Sequence, residues 1–157
     1  MMSKTFNNVQ SEWMDTPDEL RQSIYSYLPF HKPSEGWRRI AVLDAECRQI
    51  VAEMMRLAEH FKQTVAEPRV IYLSVQEVRS RTVYIRWRRR GVKGKQSYLL
   101  LNSIEGHYFL SQQTDLARNL YIKYNQWALS LNLAHSLRLT ESKRIRQYLD
   151  QLTASVA

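Results

Sequence analysis

The sequence predicts an α+β fold: two long heptad-patterned helices forming an antiparallel helical pair, a three- to four-stranded antiparallel β-meander inserted between them, and a short N-terminal helix. Three observations predict it. Apolar residues recur at alternating spacings of three and four in two separate stretches, whereas the stretch between them alternates with a period of two. Only four glycines and four prolines punctuate 157 residues, so the regular elements must be long. A chain of this length suits one domain with a core of its own, spanning residues 1–157.

Residues 1–15 show no clear period and are expected to be loosely held. A short helix is expected over 16–28, with Thr16 as N-cap, Pro17 at the first helical position and Glu19 closing a capping box. Leu20, Ile24, Tyr27 and Leu28 share its apolar face, and Pro29 and Pro33 end it. A long helix follows over 34–66. Its seam is Ile40, Leu43, Cys47, Ile50, Met54, Leu57 and Phe61, a heptad pattern of the kind that packs against another long helix. Pro68 stops it. The single cysteine, Cys47, lies on this seam and reads as a buried structural thiol.

Over 69–110 the pattern is that of strands. The first is expected at 70–78, with Ile71, Leu73 and Val75 on one side, the second at 82–90, the third at 96–101 and a fourth at about 107–110. Short links make consecutive strands antiparallel neighbours. Thr114 and Asp115 then cap a second long helix over 114–153, with Ala117, Leu120, Tyr124, Trp127, Leu131 and Ala134 at heptad spacing. The same register continues through Arg138 and Glu141 to Ile145, Tyr148 and Leu152. The polar seam positions and Thr140 as a second capping residue leave a break near 138–140 as open as a continuous rod. The two seams are long enough to face each other, or each to pair with its copy in a homodimer.

The net charge of +8 is concentrated in one stretch. Residues 79–95 hold Arg79, Arg81, Arg86, Arg88, Arg89, Arg90, Lys93 and Lys95 with no acidic residue, and the rest of the chain balances to zero. Strand alternation points Val83, Ile85 and Trp87 to the core and Tyr84, Arg86, Arg88 and Arg90 outward. Arg89 is on the apolar side by parity but reaches solvent by snorkelling near the loop. One-signed charge on a ribbon is the footprint of a nucleic-acid contact. Arginine suits it, since guanidinium pairs bidentately with phosphate, reads guanine or stacks on a base. A two-stranded ribbon is also narrow enough to enter a major groove. If most of these charges meet phosphates, log K falls against log salt with a slope of roughly −4 to −7. The alternative is a solvated strand whose arginines discourage edge-to-edge pairing. Secondary candidates are Arg38 and Arg39 beside Trp37, and Lys143, Arg144 and Arg146 near the C-terminus, each also explicable as the solvated face of a helix.

Catalysis is not expected. His31, His60, His107 and His135 are scattered without metal-ligand spacing, no glycine-rich phosphate loop occurs, and Glu77 and Glu105 flank the basic stretch singly. No cofactor is implied. No run of roughly 18 apolar residues occurs and the N-terminus lacks an apolar signal core, so a cytoplasmic protein without membrane contact is expected.

The order of parts carries a resemblance. A helix containing Arg56-Leu57-Ala58-Glu59-His60-Phe61 precedes the strand Val83-Tyr84-Ile85-Arg86-Trp87, then Arg88-Arg89-Arg90-Gly91-Val92-Lys93-Gly94-Lys95-Gln96-Ser97-Tyr98, then long arginine-rich helices. Over roughly residues 45–150 this resembles the MobI-like conjugative transfer proteins of integrative conjugative elements and large conjugative plasmids. The resemblance implies an auxiliary DNA-processing factor that works with a relaxase at an origin of transfer, with duplex DNA at a specific site as the expected partner, and it brings no catalytic residues. From the residues alone, two other readings stand beside it: an RNA-binding or ribonucleoprotein-assembly factor, and a mobile-element inhibitor docking an acidic host protein through the basic hairpin.

Overall fold

Proline and paired carboxylates set the first helices. The computed structural model describes residues 17–91 and 97–156; the expected Thr16 cap and the segment 1–15 lie outside them. Helix α1 (Pro17–Tyr25) begins on a proline and carries Asp18 and Glu19 in its first turn, where the helix dipole favours negative charge. Helix α2 (Pro33–Thr64) also begins on a proline. The Glu35 carboxylate accepts from the backbone N–H groups of His31 at 2.7 Å and Lys32 at 3.3 Å, and these bonds hold its pKa below the ordinary carboxylate range.

Three antiparallel strands follow, in the order β1 (Ile71–Val78), β2 (Thr82–Arg89), β3 (Ser97–Leu99). A single 3-10 turn, Arg79–Arg81, joins the first two, with Arg81 in the left-handed region at φ 63°. The expected meander is therefore present with three strands. The fourth is not: its residues form helix α3 (Ile104–Ser111). The apolar run of Tyr108, Phe109 and Leu110 suits a strand locally, but Ser103 caps a helix by accepting from the Gly106 N–H at 3.1 Å.

Helix α4 (Asp115–Val156) starts where expected, with Thr114 Oγ1 accepting from the Ala117 N–H at 3.2 Å. It runs unbroken through 138–140. The polar seam residues do not interrupt it because they find partners on α2: Arg138 donates to Glu46 at 2.5 Å and Ser142 to Asp44 at 2.8 Å.

By contacts the described residues divide into two units, one comprising those up to Ala41 with those from Ile145, the other comprising Val42–Arg144. In the first, Gly36 lies against Leu149 and Phe30, and the Phe30 ring lies 6.1 Å from that of Tyr148. In the second, α2 and α4 run antiparallel. Asp44 meets Ser142, Glu46 meets Arg138, the thiol of Cys47 lies 4.0 Å from the carbonyl of His135, and His60 reaches Tyr124. Rising numbers on one helix meet falling numbers on the other.

The α2 seam follows the expected residues, with Leu43, Met54 and Phe61 fully buried. That of α4 is half corrected. Tyr124 and Ile145 are buried as expected, but the alternate positions are Ala128, His135, Ser142 and Leu149, each one residue beyond Trp127, Ala134, Glu141 and Tyr148. Trp127 is 43% exposed. The inner face of the sheet closes this core: Phe61 packs edge-on against Trp87 at 5.1 Å and Tyr124 at 5.2 Å, and Trp87 against Tyr121 at 5.6 Å. Edge-to-face pairs of this kind contribute about 0.5–1.5 kcal/mol each beyond their burial.

Candidate nucleic-acid interface

The inner face of β2 decides the orientation of its outer face. Ile85 and Trp87 are buried, at 1% and 3% exposure, against the two long helices. Two asparagines of α4 lock that placement: Asn132 bonds the backbone of Ile85, and Asn125 accepts from the Trp87 indole N–H at 3.0 Å. With a side-chain period of two, Tyr84, Arg86 and Arg88 must then stand on the opposite face. Sequence reasoning missed both asparagines. Their spacing of seven, beside the buried seam, was the available signal.

Pairing registers the outer face. Ser74 lies opposite Arg86, Gln76 opposite Tyr84, and Tyr72, Arg88 and Tyr98 share one rung across all three strands. The Arg86 guanidinium sits 3.9 Å from the centroid of the Tyr98 ring and 5.4 Å from that of Tyr84, and donates to Gln76 Oε1 at 2.9 Å. The Tyr98 hydroxyl donates to the same oxygen. The Arg88 guanidinium is 5.8 Å from the Tyr98 ring. Both Nε groups, of Arg86 and Arg88, are covered without an acceptor. Stacking on aromatic rings holds a guanidinium in place while leaving its charge uncompensated.

Among the described residues, carboxylates pair with the array at one end. Arg89, of inner-face parity, extends outward to pair with Glu105 at 3.5 Å, and Arg90 pairs with Glu67 at 3.3 Å. These are exposed pairs, which typically contribute about 0–1 kcal/mol. Arg79 and Arg81 occupy the exposed turn at the other end. Among the described residues, Arg79, Arg81, Arg86 and Arg88 form no ion pair. Lys93 and Lys95 lie outside the described residues.

The structure thus places Tyr84, Arg86 and Arg88 on one face, Arg79 and Arg81 at one end of it, and Arg89 and Arg90 at the other. It also shows that β2 is the central strand, not half of a free two-stranded ribbon. Beside Tyr72 the face continues into a hollow of about 340 Å³ lined by Lys62, Glu67, Arg69, Tyr72 and Arg90. Of the secondary candidates, Arg38, Arg39 and Arg146 belong to the first unit, and Lys143 and Arg144 to the second. Arg146 lies 5.7 Å from the ring of Trp37.

Among the described residues no group of histidine, cysteine and carboxylate side chains could hold a metal ion, and no helix is long and apolar enough to cross a membrane. No family model, curated protein or solved structure matches this chain.

Proposed function

We propose that the protein is a non-enzymatic DNA-binding accessory factor that recognises an origin-of-transfer-type site and helps a relaxase begin conjugative transfer. The observation that carries the DNA contact is the pair Arg86 and Arg88, side by side on the outer face of a rigid strand and without an ion-pair partner among the described residues. Arg79 and Arg81 extend the positive field along β2, about 26 Å for eight residues, which matches several phosphate spacings of a nucleic acid. The conjugative role rests on the resemblance of the helix–strand–helix order to MobI-like transfer proteins. A relaxase or another transfer-initiation protein is the partner this role calls for, and the heptad pattern adds a second copy of the chain.

The test has two arms. Footprinting across a salt series on DNA from the chain's own genetic neighbourhood should protect one discrete site; smeared protection that vanishes with salt would reduce the protein to a general polycation. Replacing Arg86, Arg88 and Arg90 together by alanine should abolish DNA retention with a small change in melting temperature. Undiminished binding would overturn the assignment.

A further inference from the structure

Tyr72, Arg88 and Tyr98 stand on one rung of the sheet, and Arg86 and then Tyr84 follow on the next two rungs of the same face. Neighbouring strands lie about 4.8 Å apart, so Tyr72 and Tyr98 flank Arg88 at a separation of roughly 10 Å. Tyr98 is 40% exposed, and Tyr72 and Tyr84 are partly exposed. The guanidinium of Arg86 lies between the rings of Tyr98 and Tyr84, and its bond to Gln76, shared with the Tyr98 hydroxyl, fixes one ring of the group. Three tyrosine rings on one face of the sheet, Tyr72 packed partly against the core, interleaved with two arginines are the parts of a base-stacking platform.

The same geometry disfavours a duplex. A major groove about 12 Å wide admits a helix or a two-stranded ribbon. Here Arg86 and Arg88 lie at the middle of three strands, flanked by tyrosines, and are not carried by the two-stranded ribbon that the groove admits. A duplex also keeps its base faces inside its own stack, so the rings would meet only phosphates. A single strand offers both a base face for each ring and a phosphate for each guanidinium. The hollow beside Tyr72 carries Lys62, Arg69 and Arg90, but Glu67 lies among them and pairs with both arginines, so its positive charge is partly compensated.

We propose that this outer face binds single-stranded nucleic acid, with bases stacked on Tyr72, Tyr84 and Tyr98 and phosphates paired with Arg86 and Arg88. The assignment rests on the nucleic-acid reading above and names the form of polymer that the face accepts.

The experiment is fluorescence anisotropy of the full chain with a labelled 20-nucleotide DNA strand, the same strand annealed to its complement, and the matching RNA strand. Wild type should bind the single DNA strand at least tenfold more tightly than the duplex. Tyr84→Ala and Tyr98→Ala should each weaken single-strand binding roughly 5- to 100-fold, the range of one lost base stack. Duplex affinity should not change. Tyr98→Phe keeps the ring and should bind within about twofold of wild type. Melting curves identify any alanine variant that fails to fold, and Tyr98→Leu, which keeps bulk without an aromatic face, then takes its place. Duplex binding equal to or tighter than single-strand binding, or tyrosine variants without effect on the single strand, would overturn the platform and leave the DNA reading intact. Binding to neither form would overturn both. A strong preference for RNA would support the platform and overturn the DNA assignment.

Discussion

Asn132 holds both backbone groups of Ile85: its amide oxygen accepts from the Ile85 N–H at 2.8 Å, and its amide nitrogen donates to the Ile85 C=O at 2.9 Å. Strand β1 pairs along the whole of β2, but β3 ends at Leu99 opposite Trp87, two residues short of Ile85. The edge of β2 is open at that point, and a helix side chain supplies the two bonds that a longer third strand would have made. Asn132 is therefore a terminator of the sheet and a tie between sheet and helix. It also fixes the parity of β2, and with it which side Arg86 and Arg88 occupy.

Removing that side chain should be costly. Asn132→Ala leaves a donor and an acceptor of Ile85 unpaired under a helix, which predicts a loss of about 2–4 kcal/mol in urea denaturation. Asn132→Asp keeps an acceptor, loses the donor and sets a carboxylate against the Ile85 carbonyl, so its loss should be comparable. Two variants within about 0.5 kcal/mol of wild type would mean that the sheet edge satisfies itself.

Acidic residues at the end of the basic array should restrain binding. Glu105 and Glu67 pair with Arg89 and Arg90 across exposed contacts of 3.5 Å and 3.3 Å. Glu67→Gln with Glu105→Gln removes the carboxylate partner of Arg89 and Arg90, and also that of Arg69, which pairs with Glu67 at 3.0 Å. Affinity for DNA should rise several-fold at low salt, and the slope of log K against log salt should steepen by about 1–2. The exposed pairs of Arg89 and Arg90 contribute less than about 1 kcal/mol each, and the largely buried Arg69 keeps its bonds to the Lys62 and Val65 carbonyls, so stability should change little. Affinity measured from 50 to 200 mM salt checks this; an unchanged slope would show that Arg89 and Arg90 do not touch the nucleic acid.

What could be read from the residues divides along physical lines. Where the buried positions are apolar, as at Leu43, Met54 and Phe61 of α2, the period located the seam. Along α4 the buried alternates are Ala128, His135, Ser142 and Leu149, small or polar at three of four places, while the larger apolar Trp127 and Tyr148 stand one position earlier. Hydrophobicity alone therefore pointed half the seam a residue off. The orientation of Arg86 and Arg88 followed from strict strand alternation, a local rule. So did the place of Tyr84 beside Arg86; the ring of Tyr98 did not, because it reaches Arg86 diagonally across the register of β2 with β3. Over 107–110 composition suited a strand, and the Ser103 cap belongs to the helix found there instead.

Burial of His135 should make stability depend on pH. The residue is 2% exposed, its Nδ1 has no hydrogen-bond partner, and burial holds its pKa below the ordinary histidine value of 6.5. In the unfolded chain it takes up a proton as pH falls through about 6.5, whereas in the folded protein it does so only at lower pH. The unfolded state thus binds more protons in that interval, and stability falls as pH drops from about 7 toward 5, by at most about 1.4 kcal/mol per pH unit from this group. Glu35, with its lowered pKa, acts in a separate window, its contribution being lost as pH falls below its ordinary value of 4.5. His135→Leu should flatten the denaturation midpoint between pH 7 and 5; an unaltered pH profile would place the dependence elsewhere.

Gly106 tests why residues 104–111 coil. A Cβ built there would lie 2.2 Å from the carbonyl oxygen of Leu100 and 2.5 Å from Leu101 Cα, both backbone atoms of the segment leaving β3. No flexible side chain is available to give way, so the helix and the strand exit must separate. Leu99, Leu101 and Leu110 are buried there, and separation would open the core at all three. Gly106→Ala is therefore predicted to cost about 3 kcal/mol or more, although alanine is the better helix former by about 1 kcal/mol. The measurement is denaturant unfolding beside a control alanine at Ser111, an exposed position of the same helix. A gain in stability at Gly106 would mean that α3 does not approach the Leu100–Leu101 backbone as closely as described, and that helix propensity alone decides the segment.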